Sequence, residues 1–285
     1  MILDIHTHLF PEEVCRNRSF FCRRDEGFRL IYENPKARLV GWQELLKVMD
    51  RDHVDQSVIC GFPWKDPGLC REGNNYLLDC ARKYPNRMIS FTSLPSGSRR
   101  SAEKELDRCL GRGSRGIGEF ALYHRQISGG DVRNLSHLLK PLAGQGIPFL
   151  LHATEPVGHD YPGKDLDSLW FIYRLLMALP NVVFILAHWG GGFFFYELMP
   201  EIARATRNTF YDTAASPFLY DSRIYAFAVK IIGPGRILFG SDYPLIPPSR
   251  YFADIESIQI SAHIKARIKG LNGQQLLWRK NQCWP

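Results

Sequence analysis

Eight short β-rich runs recur along the 285 residues, each followed by a stretch with helical spacing of apolar side chains. They occupy 3–9, 56–62, 88–94, 116–122, 148–153, 182–188, 209–213 and 237–241. Several, such as Val182-Val183-Phe184-Ile185-Leu186, are apolar almost throughout, as parallel strands buried on both faces are. Between them, Trp42, Leu45, Leu46, Val48 and Met49 mark one helix. Leu135, Leu138, Leu139 and Leu142 mark a second, and Leu169, Ile172, Tyr173 and Leu176 a third. Such alternation predicts an α/β fold built on parallel strands. Two closures compete, a (β/α)8 TIM barrel and a doubly wound open sheet. Eight units without a break in composition favour the barrel, which fills about 250 residues as one domain. A single TIM-barrel domain over residues 1–285 is therefore expected, with a long insertion at about 10–40 between the first strand and its helix. That insertion carries five arginines between 16 and 29. Because βα loops carry barrel function, it is expected at or over the catalytic mouth.

Composition removes other classes. The chain is 45% hydrophobic and 23% charged, so it has the means to bury a core and is not a disordered polyelectrolyte. No apolar run reaches the roughly 18 residues of a membrane span. The opening MILDIHTH lacks the basic and long apolar regions of a signal peptide, which makes a cytoplasmic location the expectation. The seven cysteines include no CxxC pair, so zinc ribbons are unsupported and reduced, structural thiols are expected. The formal charge of +7 invites a nucleic-acid reading. However, no acid follows Glu256, while Lys265, Arg267, Lys269, Arg279 and Lys280 do. A basic outer helix and tail explains the excess, and without a zinc finger or RNP signature a nucleic-acid partner is not expected.

The candidate chemistry lies at strand ends. His6 and His8 are two apart on the first strand and therefore point the same way, as two ligands of one metal ion would. His152 ends the fifth strand, His188 the sixth and Asp242 the eighth. In a barrel these ends converge at one face. Imidazoles plus a carboxylate, with positions left for water, describe a catalytic zinc-like site.

In this order the residues resemble the amidohydrolase superfamily, and most closely its amidohydrolase-related branch of metal-dependent hydrolases and decarboxylases. Ala187-His188-Trp189-Gly190-Gly191-Gly192 resembles that branch's AHxGG element, and Phe239-Gly240-Ser241-Asp242-Tyr243-Pro244 its GSDYP element. The segment from Ile268 to Leu277, with Asn272, is similar to its closing segment. The resemblance implies that His6, His8, His152 and Asp242 bind a divalent metal, most simply zinc. It implies that His188 binds a second ion or the substrate's reacting group, and that Asp242 also carries protons.

Glu119, in Gly116-Ile117-Gly118-Glu119-Phe120, reads as a bridging metal carboxylate or as a buried acid orienting a ligand. A buried charge needs a strong partner either way. The metal set is thus His6, His8, Glu119, His152, His188 and Asp242, holding one or two ions, with Asp242 and His188 as catalytic residues. Around it stand substrate-binding candidates: Lys65, Arg125, His159 and Trp189. His124 and the loop bearing Glu155, Asp160 and Lys164 lie beside them. The cationic ones and the loop read equally as ordinary surface, and Trp189 equally as core. The aromatic run Phe193-Phe194-Phe195-Tyr196 reads as a pocket wall or a packed helix start.

The leading expectation is hydrolysis of a small-molecule amide, ester or lactone through a metal-activated water. The alternative is nonoxidative decarboxylation of a small carboxylic acid at the same site. A lesser one is a TatD-like metal-dependent nuclease. The expected partner is a small molecule, with no membrane and with a homo-oligomer left open.

Overall fold

The computed structural model describes residues 1–123 and 127–278. Eight strands run β1 Leu3–His8, β2 Gln56–Cys60, β3 Met88–Thr92, β4 Gly116–Phe120, β5 Pro148–Leu151, β6 Val183–Leu186, β7 Thr209–Asp212 and β8 Ile237–Leu238. They pair in parallel in chain order, from β1 to β8. The last edge meets the first. The Ile5 N–H donates to the Phe239 carbonyl at 2.8 Å, the Asp242 N–H to the His6 carbonyl at 2.9 Å, and the His8 N–H to the Tyr243 carbonyl at 2.7 Å. The sheet is thus a nearly closed (β/α)8 barrel, as expected from the alternation.

Successive strand residues sort into two apolar clusters, as the period of two requires. Val58, Ile89, Leu150, Ile185, Phe210 and Leu238 belong to one. Ile117, Phe149, Phe184, Leu186 and Tyr211 belong to the other, together with helical residues such as Leu135, Leu139, Ile172 and Leu175. That second cluster is the layer between strands and helices. Continuing the first column past the strand ends leads from Leu150 to His152, from Phe210 to Asp212 and from Leu238 to Asp242. The barrel's inner face therefore delivers polar side chains at its C-terminal end.

The expected helices form at Trp42–Arg51, Gly129–Leu139 and Ser168–Ala178. Helix Pro67–Lys83 starts where Asp66 accepts hydrogen bonds from the N–H groups of Gly68 and Leu69, with proline at its first position. The insertion after β1 contains three short helices, Glu12–Arg16, Arg18–Arg24 and Glu26–Tyr32. They bury Phe21 and Phe28 against Phe62 and Trp64 in a satellite cluster beside the barrel mouth.

The closing segment packs on the opposite side. Asn272 is fully buried, and its amide donates to the carbonyls of Pro234 (2.7 Å) and Ile237 (2.8 Å) while its oxygen accepts from Arg267. Lys265 and Lys269 both pair with Glu256, so part of the basic run is neutralised by the last acid of the chain. No described helix is long and apolar enough to cross a membrane.

Replacing Asn272 with alanine removes a donor from the buried Ile237 carbonyl and from the partly buried Pro234 carbonyl, a loss of about 1–3 kcal/mol. Urea denaturation of Asn272→Ala should show that destabilisation with an unchanged slope.

Candidate active site

His6 and His8 project from β1 on one face, with their Nε2 atoms 3.0 Å apart. Two nitrogens bound to one ion at about 2.1 Å each stand roughly that far apart. Glu119, on β4, lies between the imidazoles of opposite walls. Its Oε1 is 2.9 Å from His152 Nδ1, 3.5 Å from His188 Nε2 and 3.7 Å from His6 Nε2. Its Oε2 is 3.6 Å from His8 Nε2. Among the described residues, two groups able to hold a metal ion follow, His6–His8–Glu119 and Glu119–His152–His188, and they share this carboxylate. Asp242 Oδ1 stands 3.2 Å from His8 Nε2 and 3.7 Å from His6 Nε2. The structure therefore brings together all six residues expected around the metal.

The backbone makes room for this convergence. At Gly118, with φ of 131°, a Cβ would lie 2.6 Å from the Leu150 carbonyl oxygen, so only glycine lets β4 approach β5 and place Glu119 centrally. His188 and Asp242 take left-handed backbone conformations, with φ of 55° and 58°. Non-glycine residues enter that region at a cost of roughly 1–3 kcal/mol. Here the turn aims each side chain into the mouth immediately after its strand. Gly191, with φ of 59°, passes so close to Thr154 that a Cβ would meet its carbonyl oxygen at 2.3 Å.

A second layer holds the imidazoles. Asp212, at the end of β7, accepts from His6 Nδ1 at 2.8 Å, from the His188 N–H at 2.8 Å and from the Ala214 N–H at 3.0 Å. With Nδ1 so engaged, His6 presents Nε2 to the site. The sequence reading missed Asp212. Its signal was available, an acid ending the seventh strand in register with the other strand-end ligands. Asp4 is also buried there, accepting from the hydroxyl and N–H of Ser241 and from the His6 N–H, and burial pushes it up to about 7 against those hydrogen bonds.

The electrostatics call for a cation. Burial opposes charge on Glu119, yet His152 and His6 hold its carboxyl well below the usual range. Burial likewise opposes ionisation of Asp242, but His8, His6 and His188 keep it lowered. Burial alone would depress the imidazole of His188, but Glu119 and Asp242 overcome it and push His188 up to about 9. His6 is raised in the same way, with Glu119 and Asp212 outweighing its burial. Among the described residues, His152 Nε2 is buried with no hydrogen-bond partner. Borderline-soft nitrogens and shared carboxylates around one point form a donor set that fits a divalent ion.

The cluster opens into a cavity of about 300 Å³. His8, Glu119, His152, His188 and Asp242 form its floor, while Phe62, Tyr123, Phe218 and Leu245 contribute apolar walls. From the insertion come Ile31, Tyr32, Ala37 and Arg38, so that segment borders the mouth as expected. His159 lines the cavity too. Arg38, which the sequence reading passed over, stacks on the Tyr243 ring at 5.5 Å and pairs with Glu44 at 3.1 Å.

Two substrate candidates are corrected. Trp189 is fully buried in the strand–helix layer, with its indole N–H on Ser216 Oγ at 2.6 Å and its ring against Tyr225. The left-handed turn that aims His188 inward carries Trp189 outward. Lys65 is exposed and is not among the residues lining the cavity, and its backbone N–H donates to the buried Asp25. Arg125, like its neighbour His124, lies outside the described residues. Of the aromatic run, Phe193 and Phe194 are core, while Phe195 and Tyr196 face outward without lining the cavity.

A nearly closed parallel barrel with imidazoles and carboxylates at its C-terminal mouth defines an enzyme of the amidohydrolase type. A family model described as Amidohydrolase matches residues 3–277, and the chain belongs to that family. Among solved structures it is similar to 2,6-dihydroxybenzoate decarboxylase from Rhizobium. That match has 18% identity and a TM-score of 0.74, covering 97% of this chain and 98% of that one. It is also similar to 5-carboxyvanillate decarboxylase from Sphingomonas paucimobilis, with 16% identity and a TM-score of 0.75 over 97% and 98% of the chains. A third is a dihydroxybenzoic acid decarboxylase from Polaromonas, bound to manganese and an inhibitor, with 18% identity and a TM-score of 0.74 over 97% and 96%. At these identities the likeness is one of fold.

Loss of a residue that orients a ligand typically lowers metal affinity about 10–100-fold. Asp212→Asn should weaken zinc uptake by that amount in equilibrium dialysis, with the fold retained by circular dichroism. Unchanged affinity would mean that Asp212 does not orient His6.

Proposed function

We propose that this protein is a metal-dependent hydrolase of a small amide, ester or lactone. The observation that carries the reading is the position of Glu119, whose carboxylate stands between both histidine pairs, with Oε1 toward His152, His188 and His6 and Oε2 toward His8, as a carboxylate shared by two ions could. His6 and His8 with Glu119 would hold one ion, and His152 and His188 with Glu119 a second, with Asp242 beside the first. We propose zinc, which suits this nitrogen and carboxylate set. A divalent ion there supplies Lewis acidity, polarising a carbonyl and lowering the pKa of water to about 7.

The chain's own residues do the rest. Asp242 is held as a carboxylate by its histidine neighbours, so it can accept the proton of the attacking water and return it to the leaving group. With both ions bound His188 would be a ligand of the second; with only the first bound, its Nε2–H would be free to donate to the developing oxyanion. The apolar walls keep bulk water from the reacting centre, and Arg38 at the mouth favours a substrate with an anionic group.

A second reading, decarboxylation, is favoured by the three solved structures named above, all decarboxylases of aromatic acids. It needs one ion and no attacking water. In it the ion held by these residues would bind the substrate's carboxylate, and Asp242, once it has taken up a proton from solvent, would pass that proton to the carbon that loses CO2.

Metal analysis with product analysis separates the two. Hydrolysis predicts about two equivalents of metal, falling to about one in Glu119→Gln. It also predicts turnover of a lactone or ester panel that chelation abolishes and zinc or manganese restores. Asp242→Asn should lower kcat by about 10²–10⁴-fold. A one-metal wild type that releases CO2 from dihydroxybenzoates and leaves the panel untouched would sink hydrolysis and establish the second reading.

A further inference from the structure

The loop that follows His152 is tied at three levels. At its base, Thr154 Oγ1 donates to the Asp165 carbonyl at 2.7 Å and accepts from the Asp165 N–H at 3.0 Å. Within it, Lys164 Nζ donates to the carbonyls of Val157 (2.9 Å), Gly158 (3.1 Å) and His159 (2.9 Å). An ammonium has three donors, and all three are spent on backbone. On its inner side, the Glu155 carboxylate accepts from the Tyr161 hydroxyl at 2.7 Å and from the Tyr220 hydroxyl, beyond β7, at 3.0 Å. Gly163 completes the seat, since a Cβ there would lie 2.8 Å from Ile31 of the insertion and 3.1 Å from Tyr123.

These ties have one consequence for the cavity. The loop contributes His159, Tyr161 and Pro162 to its lining, and the Lys164 ammonium grips the backbone of His159 itself. A long lysine gains little at a plain surface by ordering its side chain around three carbonyls of its own loop, because the rotamer entropy opposes it. Such a cost is recovered where a wall must be ready before a ligand arrives.

We propose that Lys164 and Glu155 are positioning residues that hold the 155–165 loop as a preformed recognition wall. On this assignment Lys164 touches no substrate. It fixes the chain at Val157–His159, so that His159 is presented to the polar part of the substrate, while Glu155 fixes Tyr161 beside it. The assignment rests on reading the cavity as the substrate site, but its test uses neither turnover nor metal. Failure of the test would therefore leave the catalytic reading standing.

Trace acetylation of the purified protein, mapped by mass spectrometry, compares Lys164 with the exposed Lys36 and Lys104. Charge-assisted bonds to three carbonyls should make Lys164 react at least about tenfold more slowly. Comparable reactivity overturns the assignment. Proteinase K digestion provides the second arm. Cleavage between 155 and 165 should be about tenfold faster in Lys164→Met than in wild type, because cleavage tracks the open population of the loop. Lys164→Arg, which restores cationic donors, should return the resistance to near the wild-type level. Equal resistance in Lys164→Met, or no rescue by Lys164→Arg, overturns the assignment. The labelling arm decides the matter if Lys164→Met fails to fold.

Discussion

A single buried carboxylate ties the site to the barrel. Asp212 accepts hydrogen bonds from the His6 side chain and from the backbone N–H groups of His188 and Ala214. It thereby connects β1, the turn after β6 and the turn after β7. All three partners are donors, so its charge is satisfied without a formal ion pair to a long side chain. That arrangement orients the first histidine of the cluster and pins the left-handed turn that carries the fourth. An imidazole held this way has one nitrogen committed and the other available, the condition for a ligand whose geometry is fixed in advance.

Around this anchor the barrel accumulates negative charge that it cannot dissipate. Glu119, Asp212 and Asp242 stand within a few residues' width of one another, at the low-dielectric end of an apolar interior. Unpaired, such groups would be prohibitive to bury. Without a metal ion the compensation falls on His6 and His188, whose affinity for protons rises accordingly. The same electrostatic demand is what a divalent cation meets, with the imidazoles then acting as neutral donors. The walls above are of a different kind. Tyr32 and Arg38 come from the insertion, and His159 and Tyr161 from the loop after β5. The strand ends thus supply the imidazoles and carboxylates of the cavity floor, while the longer loops supply its walls.

Much of this was legible in the chain. The eight apolar runs match eight strands, because burial on both faces leaves a continuous hydrophobic signature. The cluster was readable because the barrel sends strand ends to a common face, so a histidine or acid closing such a run carries positional meaning. Asp212 obeyed the same rule but was overlooked, since Tyr211-Asp212-Thr213 resembles no motif and a lone acid is a weak signal. Trp189 was misplaced for another reason. Adjacent residues in a left-handed turn diverge in a way that sequence proximity to His188 does not reveal. Arg38 lines the cavity and Lys65 does not, which the sequence did not reveal because both belong to irregular segments, where no periodicity states which way a side chain points.

By itself the sequence determined the architecture and the inventory of the site. Periodic burial dictates parallel strands, and the order of histidines and acids at their ends dictates which groups can meet. Only the tertiary structure decided how they meet. That Glu119 faces both histidine pairs depends on β4 pressing against β5 at Gly118. That Lys164 grips its own loop, and does not reach into the cavity, depends on how the loop folds back on itself. The few ångströms between Glu119 and His152, 33 positions apart, are set by packing, and those between Lys164 and the carbonyls of its own loop by how the loop closes; residue order records neither.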